Sequence, residues 1–321
     1  HVHCVIVGFS SCKSNKPKRI FTADGNTIEA ENISPYLIDS KNVWIENRSK
    51  PLCEIPLMTT GNRPADGGHL IIEADEYADF VKKEPRALKY IKKLIGSEEF
   101  INNHKRWCLW LVGASPAEMR SMPEVIKRVQ LCKQDRLNGA SDRQKLADTP
   151  YLFREIRNPE KYVIVPATSS ENRKYVPMGF LGYDTIPTNS VLIIPEADLY
   201  EFGVLISVVH MAWLRIVGGR MKSDYRYSKD IVYNNFPWPN TTEKQKDRIG
   251  QTAQAILDAR AKYPDSSLAD LYDENAMPIE LRKAHQENDH AVMQAYGFNA
   301  KMTESEVVAE LFRMYQALLD A

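Results

Sequence analysis

One stretch constrains this chain more than any other: an amphipathic segment that runs into a basic, aromatic loop, residues 199–239. Leu199, Phe202, Ile206, Val209, Trp213 and Ile216 recur at gaps of three and four, the spacing that puts side chains on one helical face. The spacing predicts one long helix that buries this face in a core. Gly218-Gly219 is expected to end it, because residues without a Cβ reach the left-handed turn of a C-cap at little cost. The loop that follows presents Arg220, Lys222, Asp224, Tyr225, Arg226, Tyr227 and Lys229, and a strand is expected over 230–233 before Asn234-Asn235-Phe236-Pro237-Trp238-Pro239. A stiff element that delivers forked donors, an acceptor and aromatic faces is well suited to engage another molecule. On composition alone, a solvated loop behind a core helix explains the pattern equally well.

The chain has 321 residues, enough to bury a sizeable core and to form two or three units. Its longest apolar stretch, 203–217, is broken by Ser207, His210 and Arg215, too short and too polar to cross a bilayer, so no membrane partner is expected. The five cysteines include no C-x-x-C pair and no matched histidine spacing, which argues against a zinc site or a disulfide framework and for a reducing cytoplasm. The formal charge is zero but uneven: 241–321 carries 9 basic against 14 acidic side chains, and 54–240 carries 26 against 23. Zero net charge argues against indiscriminate polyanion binding. It leaves room for a site-specific DNA contact built from local clusters.

In chain order, residues 2–9 read as a strand with no basic segment or initiator Met ahead of it, as if cut from something longer. A basic turn follows at 13–19. The loop Thr59-Thr60-Gly61-Asn62-Arg63-Pro64-Ala65-Asp66-Gly67-Gly68 lacks the Lys-Ser or Lys-Thr of a phosphate loop and reads as a surface turn before a short strand at 70–72. Helices are expected over 73–81, 86–95, 116–122 and 123–137, and buried strands over 107–112, 162–165 and 191–194. Residues 168–175 form a polar hairpin tip between 162–165 and 176–181. Beyond 240 strands give way to helices over 243–262, 278–296 and 303–319. The last opens on a capping box of Thr303 and Glu306.

Chemistry of its own is not visible. There is no G-x-G-x-x-G, G-x-S-x-G, H-E-x-x-H or Walker loop, no Asn-Pro-Pro-aromatic tetrapeptide, and no histidine cluster. His285 and Asp289, one turn apart, read as an ordinary hydrogen-bonding pair. No catalytic residue and no metal ligand is assigned.

Several segments resemble the C-terminal half of the MmeI-like (type IIL) restriction-modification enzymes and of related DNA adenine methyltransferases. They include Pro64-Ala65-Asp66-Gly67-Gly68-His69-Leu70, Arg106-Trp107-Cys108-Leu109-Trp110-Leu111, Arg173-Lys174-Tyr175-Val176-Pro177, Ser223-Asp224-Tyr225-Arg226-Tyr227-Ser228, Tyr233-Asn234-Asn235-Phe236-Pro237-Trp238-Pro239 and Leu281-Arg282-Lys283-Ala284-His285. The resemblance implies an α+β fold: a mixed-sheet target-recognition domain with a long central helix, then an α-helical C-terminal segment. It divides the chain into the tail of a methyltransferase domain (1–53), a target-recognition domain (54–240) and C-terminal helices (241–321). It also implies double-stranded DNA and an upstream methyltransferase domain in cis as partners. S-adenosylmethionine would serve that upstream domain in N6-adenine methylation; none is expected in this chain.

Within that frame the loop after the central helix is a base-reading element. Lys222 has the donor for guanine O6/N7, and Asp224, two residues on, has the acceptor for the cytosine N4 amino group, so the pair suits one G·C base pair. Arg220, Arg226 and Lys229 are expected to clamp phosphates, and Tyr227 to pack or bond phosphate. The hairpin tip (Ser169, Ser170, Asn172, Arg173, Lys174) is a second candidate and Asn62 with Arg63 a third. Two rival readings remain open here: a stand-alone specificity-subunit-like DNA binder, and an independent α/β enzyme.

Overall fold

The structure, a computed structural model, describes residues 5–12, 16–22 and 25–320. Its centre is the apolar stretch singled out above, folded as two helices, Leu199–Leu205 and Val208–Val217, that meet at 55°. The break falls at Ser207, whose hydroxyl donates to the Val204 carbonyl at 2.7 Å and accepts from the His210 amide at 3.4 Å. A serine that can cap a new helix competes with continuing the old one. The expected single helix is therefore corrected to an elbow, still buried as its periodicity requires. No single helix is long and apolar enough to cross a membrane among the described residues.

Against the elbow lies an antiparallel sheet in the order Thr59–Thr60, Val191–Pro195, Lys161–Pro166, Gly179–Gly182. Its two central strands are almost continuously apolar, as strands covered on both faces must be. The three long C-terminal helices, Glu243–Ala261, Ile279–Tyr296 and Glu304–Asp320, close the other side. They approach closely: a Cβ on Gly203 would lie 2.6 Å from Cγ2 of Ile249 and 3.0 Å from Oδ1 of Asn288. Asn288 uses that gap to donate to the Gly203 carbonyl at 2.8 Å while accepting from the Thr252 hydroxyl. One core cluster thus runs from Ile38 through Trp213 and Phe236 to Tyr315.

A second core belongs to residues 70–153 and Ile186. Here a mixed sheet, in the order Thr185–Pro187, Ile91–Ile95, Arg106–Leu109, Ile71–Glu73, packs on helix Pro123–Leu137 through Ile72, Leu94, Leu109, Val125 and Cys132. Arg136 is completely buried. Its guanidinium donates to the carbonyls of Pro64, Ala65, Leu146, Thr149 and Leu152, which pins the 64–68 loop to this lobe.

The architecture is the α+β one expected, with four further local corrections besides the elbow. Residues 86–95 are a 3₁₀ helix, Pro85–Tyr90, running into a strand, Ile91–Ile95. Residues 2–4 of the N-terminal strand lie outside the described residues, and 5–9 carry no strand and are exposed. The strand expected over 230–233 is a π-helical turn, Lys229–Tyr233, in which the Asn234 amide reaches back to the Lys229 carbonyl at 2.8 Å. Gly218, expected in a left-handed cap, is extended with φ −70 and ψ 148. It leads straight into a strand, and a Cβ there would lie 2.4 Å from the Leu214 carbonyl oxygen.

Candidate nucleic-acid interface

The residues after Gly218 form a tight hairpin, Gly219–Met221 paired with Asp224–Arg226. Lys222 and Ser223 make the two-residue turn. Lys222 sits at φ 58, a left-handed conformation that costs a residue with a Cβ about 1–2 kcal/mol. Its side chain is exposed, and Asp224 next to it is half-buried. The second strand continues the sheet by pairing with Thr168–Ser169, Tyr225 opposite Ser169. The two leading candidate segments, far apart in sequence, are therefore neighbours.

Their side chains interlock. Oδ1 of Asp224 accepts from the Glu171 amide at 3.4 Å. Arg173 is half-buried; burial lowers its pKa while the charges of Asp224 and Asp273 pull the other way. The Tyr225 hydroxyl donates to the Glu171 carbonyl at 3.4 Å, and the Arg220 guanidinium stacks on the Tyr225 ring at 4.1 Å. The outcome is a rim that exposes Lys222, Arg226, Asn172 and Lys174, with Ser170 and Arg173 half-buried among them.

Five candidates are placed otherwise. Tyr227 is buried, its hydroxyl 2.8 Å from Nε2 of His210. Burial raises the Tyr227 pKa well above its ordinary value and pushes His210 down to about 3. Both are neutral, and Tyr227 packs the hairpin down rather than meeting phosphate. Ser169 is buried by its strand pairing. Asn62, expected on an exposed turn, is fully buried: its amide donates to the carbonyls of Arg157 and Pro187 and its carbonyl accepts from the Arg157 amide. A Cβ on neighbouring Gly61 would lie 2.1 Å from the Thr188 carbonyl oxygen. Gly61, Asn62 and Asp66 of the loop are packed by protein, while Arg63, Gly67 and Gly68 are exposed. Arg220 folds back over its own hairpin to donate to the Ser223 carbonyl at 2.9 Å, and Lys229 pairs with Asp230.

The polar motif 234–239 also turns inward. Asn235 donates to the carbonyls of Glu46, Asp230 and Ile231, Asn234 to that of Arg48, and the Tyr233 hydroxyl to that of Pro56. This motif fastens the 44–56 segment to the core. His285 and Asp289 do not pair with each other. His285 bonds the Tyr272 hydroxyl and stacks on Tyr175 at 4.1 Å. Asp289 accepts from the Tyr175 hydroxyl at 2.7 Å and from the Val208 amide at 2.9 Å. Burial raises the Asp289 pKa to about 6. Among the described residues no three His, Cys, Asp or Glu side chains gather as a metal site.

An exposed, strained hairpin tip beside a second polar loop, both carried on a rigid core, is the construction expected of a recognition surface. Comparison with family models decides whose. Residues 39–240 match the MmeI target recognition domain and residues 241–321 the MmeI C-terminal domain. The chain belongs to the MmeI family. It is 39% identical over 319 residues to DNA methyltransferase A of Bacillus subtilis (strain 168), covering 98% of this chain and 36% of that protein. It also superposes, with a TM-score of 0.90 and 42% identity, on a solved structure of the type IIL restriction-modification enzyme MmeI in complex with DNA. That match covers 96% of this chain and 42% of the other. The chain thus spans well under half the length of either relative.

Proposed function

We propose that this chain is the module that selects the DNA sequence for a restriction-modification adenine methyltransferase. In this reading residues 54–240 contact the duplex, 241–321 brace them, and 1–53 lead from an upstream methyltransferase domain in the same polypeptide, in the cytoplasm. Methylating N6 of adenine requires the base to leave the stack, at a cost of a few kcal/mol, while the flanking duplex is held. A separate reader supplies that hold and selects the site, each bidentate contact contributing ~1–3 kcal/mol of discrimination. S-adenosylmethionine belongs to the upstream domain. No chemical step is assigned to residues of this chain.

The observation that carries the reading is the tip itself. Lys222 is exposed in a left-handed conformation, with Asp224 two residues on and held by the Glu171 amide. Strain persists where surrounding structure over-determines it, and such sites cluster where function needs a fixed side chain. In this reading Lys222 donates to guanine O6/N7 and Asp224 accepts from cytosine N4, while Arg226, Lys174 and Arg63 bond phosphates. Asn172 and Arg173 suit adenine and guanine edges. The test is selection from randomised duplexes by the chain. A defined motif containing a G·C pair that Lys222→Ala erases is expected, and enrichment of no sequence would refute the reading. Titrating S-adenosylmethionine into the chain should leave its melting temperature unchanged.

A further inference from the structure

A single guanidinium joins the two reading segments to the C-terminal domain. Arg215, in the last turn of helix Val208–Val217, donates through Nε to the Tyr225 hydroxyl at 3.3 Å and through Nη2 to the Lys174 carbonyl at 3.0 Å. Its third arm, Nη1, donates to the Glu304 carboxylate at 2.7 Å. Tyr225 sits between Asp224 and Arg226 on the hairpin, and Lys174 ends the neighbouring loop. Glu304 opens the final helix, on the far side of the division between the two family models at 240/241.

We infer that Arg215 is a positioning residue for base selection, and that Glu304 is the C-terminal domain's brace upon it. The guanidinium is planar and its donors diverge at fixed angles, so three acceptors bound at once hold the Lys174 backbone and the Tyr225 and Glu304 side chains relative to one another. Base contacts tolerate displacements of only ~0.5 Å. A hairpin that turned about its base relative to the 169–174 loop would present Lys222 and Arg173 out of register. Arg215 blocks that rotation from behind and needs no base contact to do so. Because its side chain keeps 22% exposure, water can take over the acceptors it leaves, so its removal should loosen the register without unfolding the core. The brace on Glu304 gives the C-terminal helices a part in recognition although they carry no candidate base contact.

The inference rests on the hairpin and loop being the base readers, and the test separates the two claims. The chain and its Arg215→Ala, Arg215→Lys and Glu304→Gln variants are each passed through selection on randomised duplexes, with affinity measured against salt and folding checked by thermal melts. Arg215→Ala should lower discrimination at positions read by both segments by about 10-fold, the equivalent of ~1.4 kcal/mol. Glu304→Gln should do so by about 3-fold, and Arg215→Lys should fail to restore it, since one ammonium cannot serve three diverging acceptors. The slope of log affinity against log salt should stay unchanged, whereas a phosphate contact would lower it by about one. If the unaltered chain selects no sequence, the DNA reading itself fails. If it selects a sequence and the variants keep the same preferences, lose affinity uniformly, or lose a unit of salt slope, Arg215 does not position the readers. Should Arg215→Ala melt at room temperature, Glu304→Gln and Arg215→Lys still decide the matter.

Discussion

The rim around Lys222 and the cluster beneath it are both rich in polar side chains, yet the two regions do opposite work. At the rim, Lys222, Arg226, Asn172 and Lys174 hold their polar heads in water. Beneath, His210 meets Tyr227, His285 meets Tyr272, and Tyr175 meets Asp289, all out of water. Desolvation is the difference. It keeps both histidines neutral and lifts the Asp289 carboxyl to about 6. Each of these groups bonds a buried partner, although Nδ1 of His210 and of His285 has none among the described residues, so this layer fixes shape and reads nothing. The rim is exposed and available. Changes beneath should therefore alter stability and leave sequence choice alone, and changes at the rim should do the reverse.

The largest effect should come from the buried side. Asn235→Ala removes three buried amide hydrogen bonds and should cost ~3 kcal/mol in urea unfolding, with the selected DNA motif unchanged. A shifted motif would break the division. Next is the acid response. The His210 pKa is depressed to about 3, so its contribution is complete above the unfolded value near 6.5 and is lost as pH falls. Between pH 6.5 and 5 this amounts to ~1.5 kcal/mol. Asp289 has the opposite sign, since its folded pKa of about 6 favours folding below the unfolded carboxylate value and loses that favour as pH rises through 6. His210→Gln should therefore shrink the stability difference between pH 7.5 and 5 by ~2 kcal/mol; an unchanged difference would mean the imidazole is not desolvated.

At the rim the effects on folding shrink. Arg226→Ala should weaken binding uniformly across sequences and lower the salt slope by about one, leaving the melting temperature in place. A changed base preference would move Arg226 from phosphate to base contact. Smallest in energy is Lys222→Gly. Relief of the left-handed conformation outweighs glycine's added chain entropy, for a net gain of ~0.5 kcal/mol, while preference at its base pair disappears. A loss of stability would mean that the lysine side chain supports the turn.

Sequence patterning showed which faces are buried more readily than how the backbone runs between them. Burial of Phe202, Ile206, Val209 and Trp213 is realised, though on two helices rather than one, and so is the capping box at Thr303, where Glu306 accepts from the Thr303 amide at 2.6 Å. The break at Ser207 was hidden because a serine within an apolar helix and a serine starting a new one look alike in sequence. Composition places Asn62, Tyr227 and Asn235 among hydrogen-bonding surface residues; the partners that bury them, Arg157, His210 and Glu46, lie 95, 17 and 189 residues away. Arg215 escaped notice for a related reason: its role depends on Lys174, Tyr225 and Glu304, which only the fold brings together. The adjacency of the 169–174 loop and the 219–226 hairpin arises the same way, through a cross-strand pairing of Tyr225 with Ser169.

The central claim is that the hairpin tip chooses a base pair by the sign of its two charges, and reversing both tests it most directly. In a selection from randomised duplexes, Lys222→Glu combined with Asp224→Arg should exchange G·C for C·G at one position, with the rest of the motif and the melting temperature unaltered. The same motif returned by the double variant, G·C still in place, would contradict it.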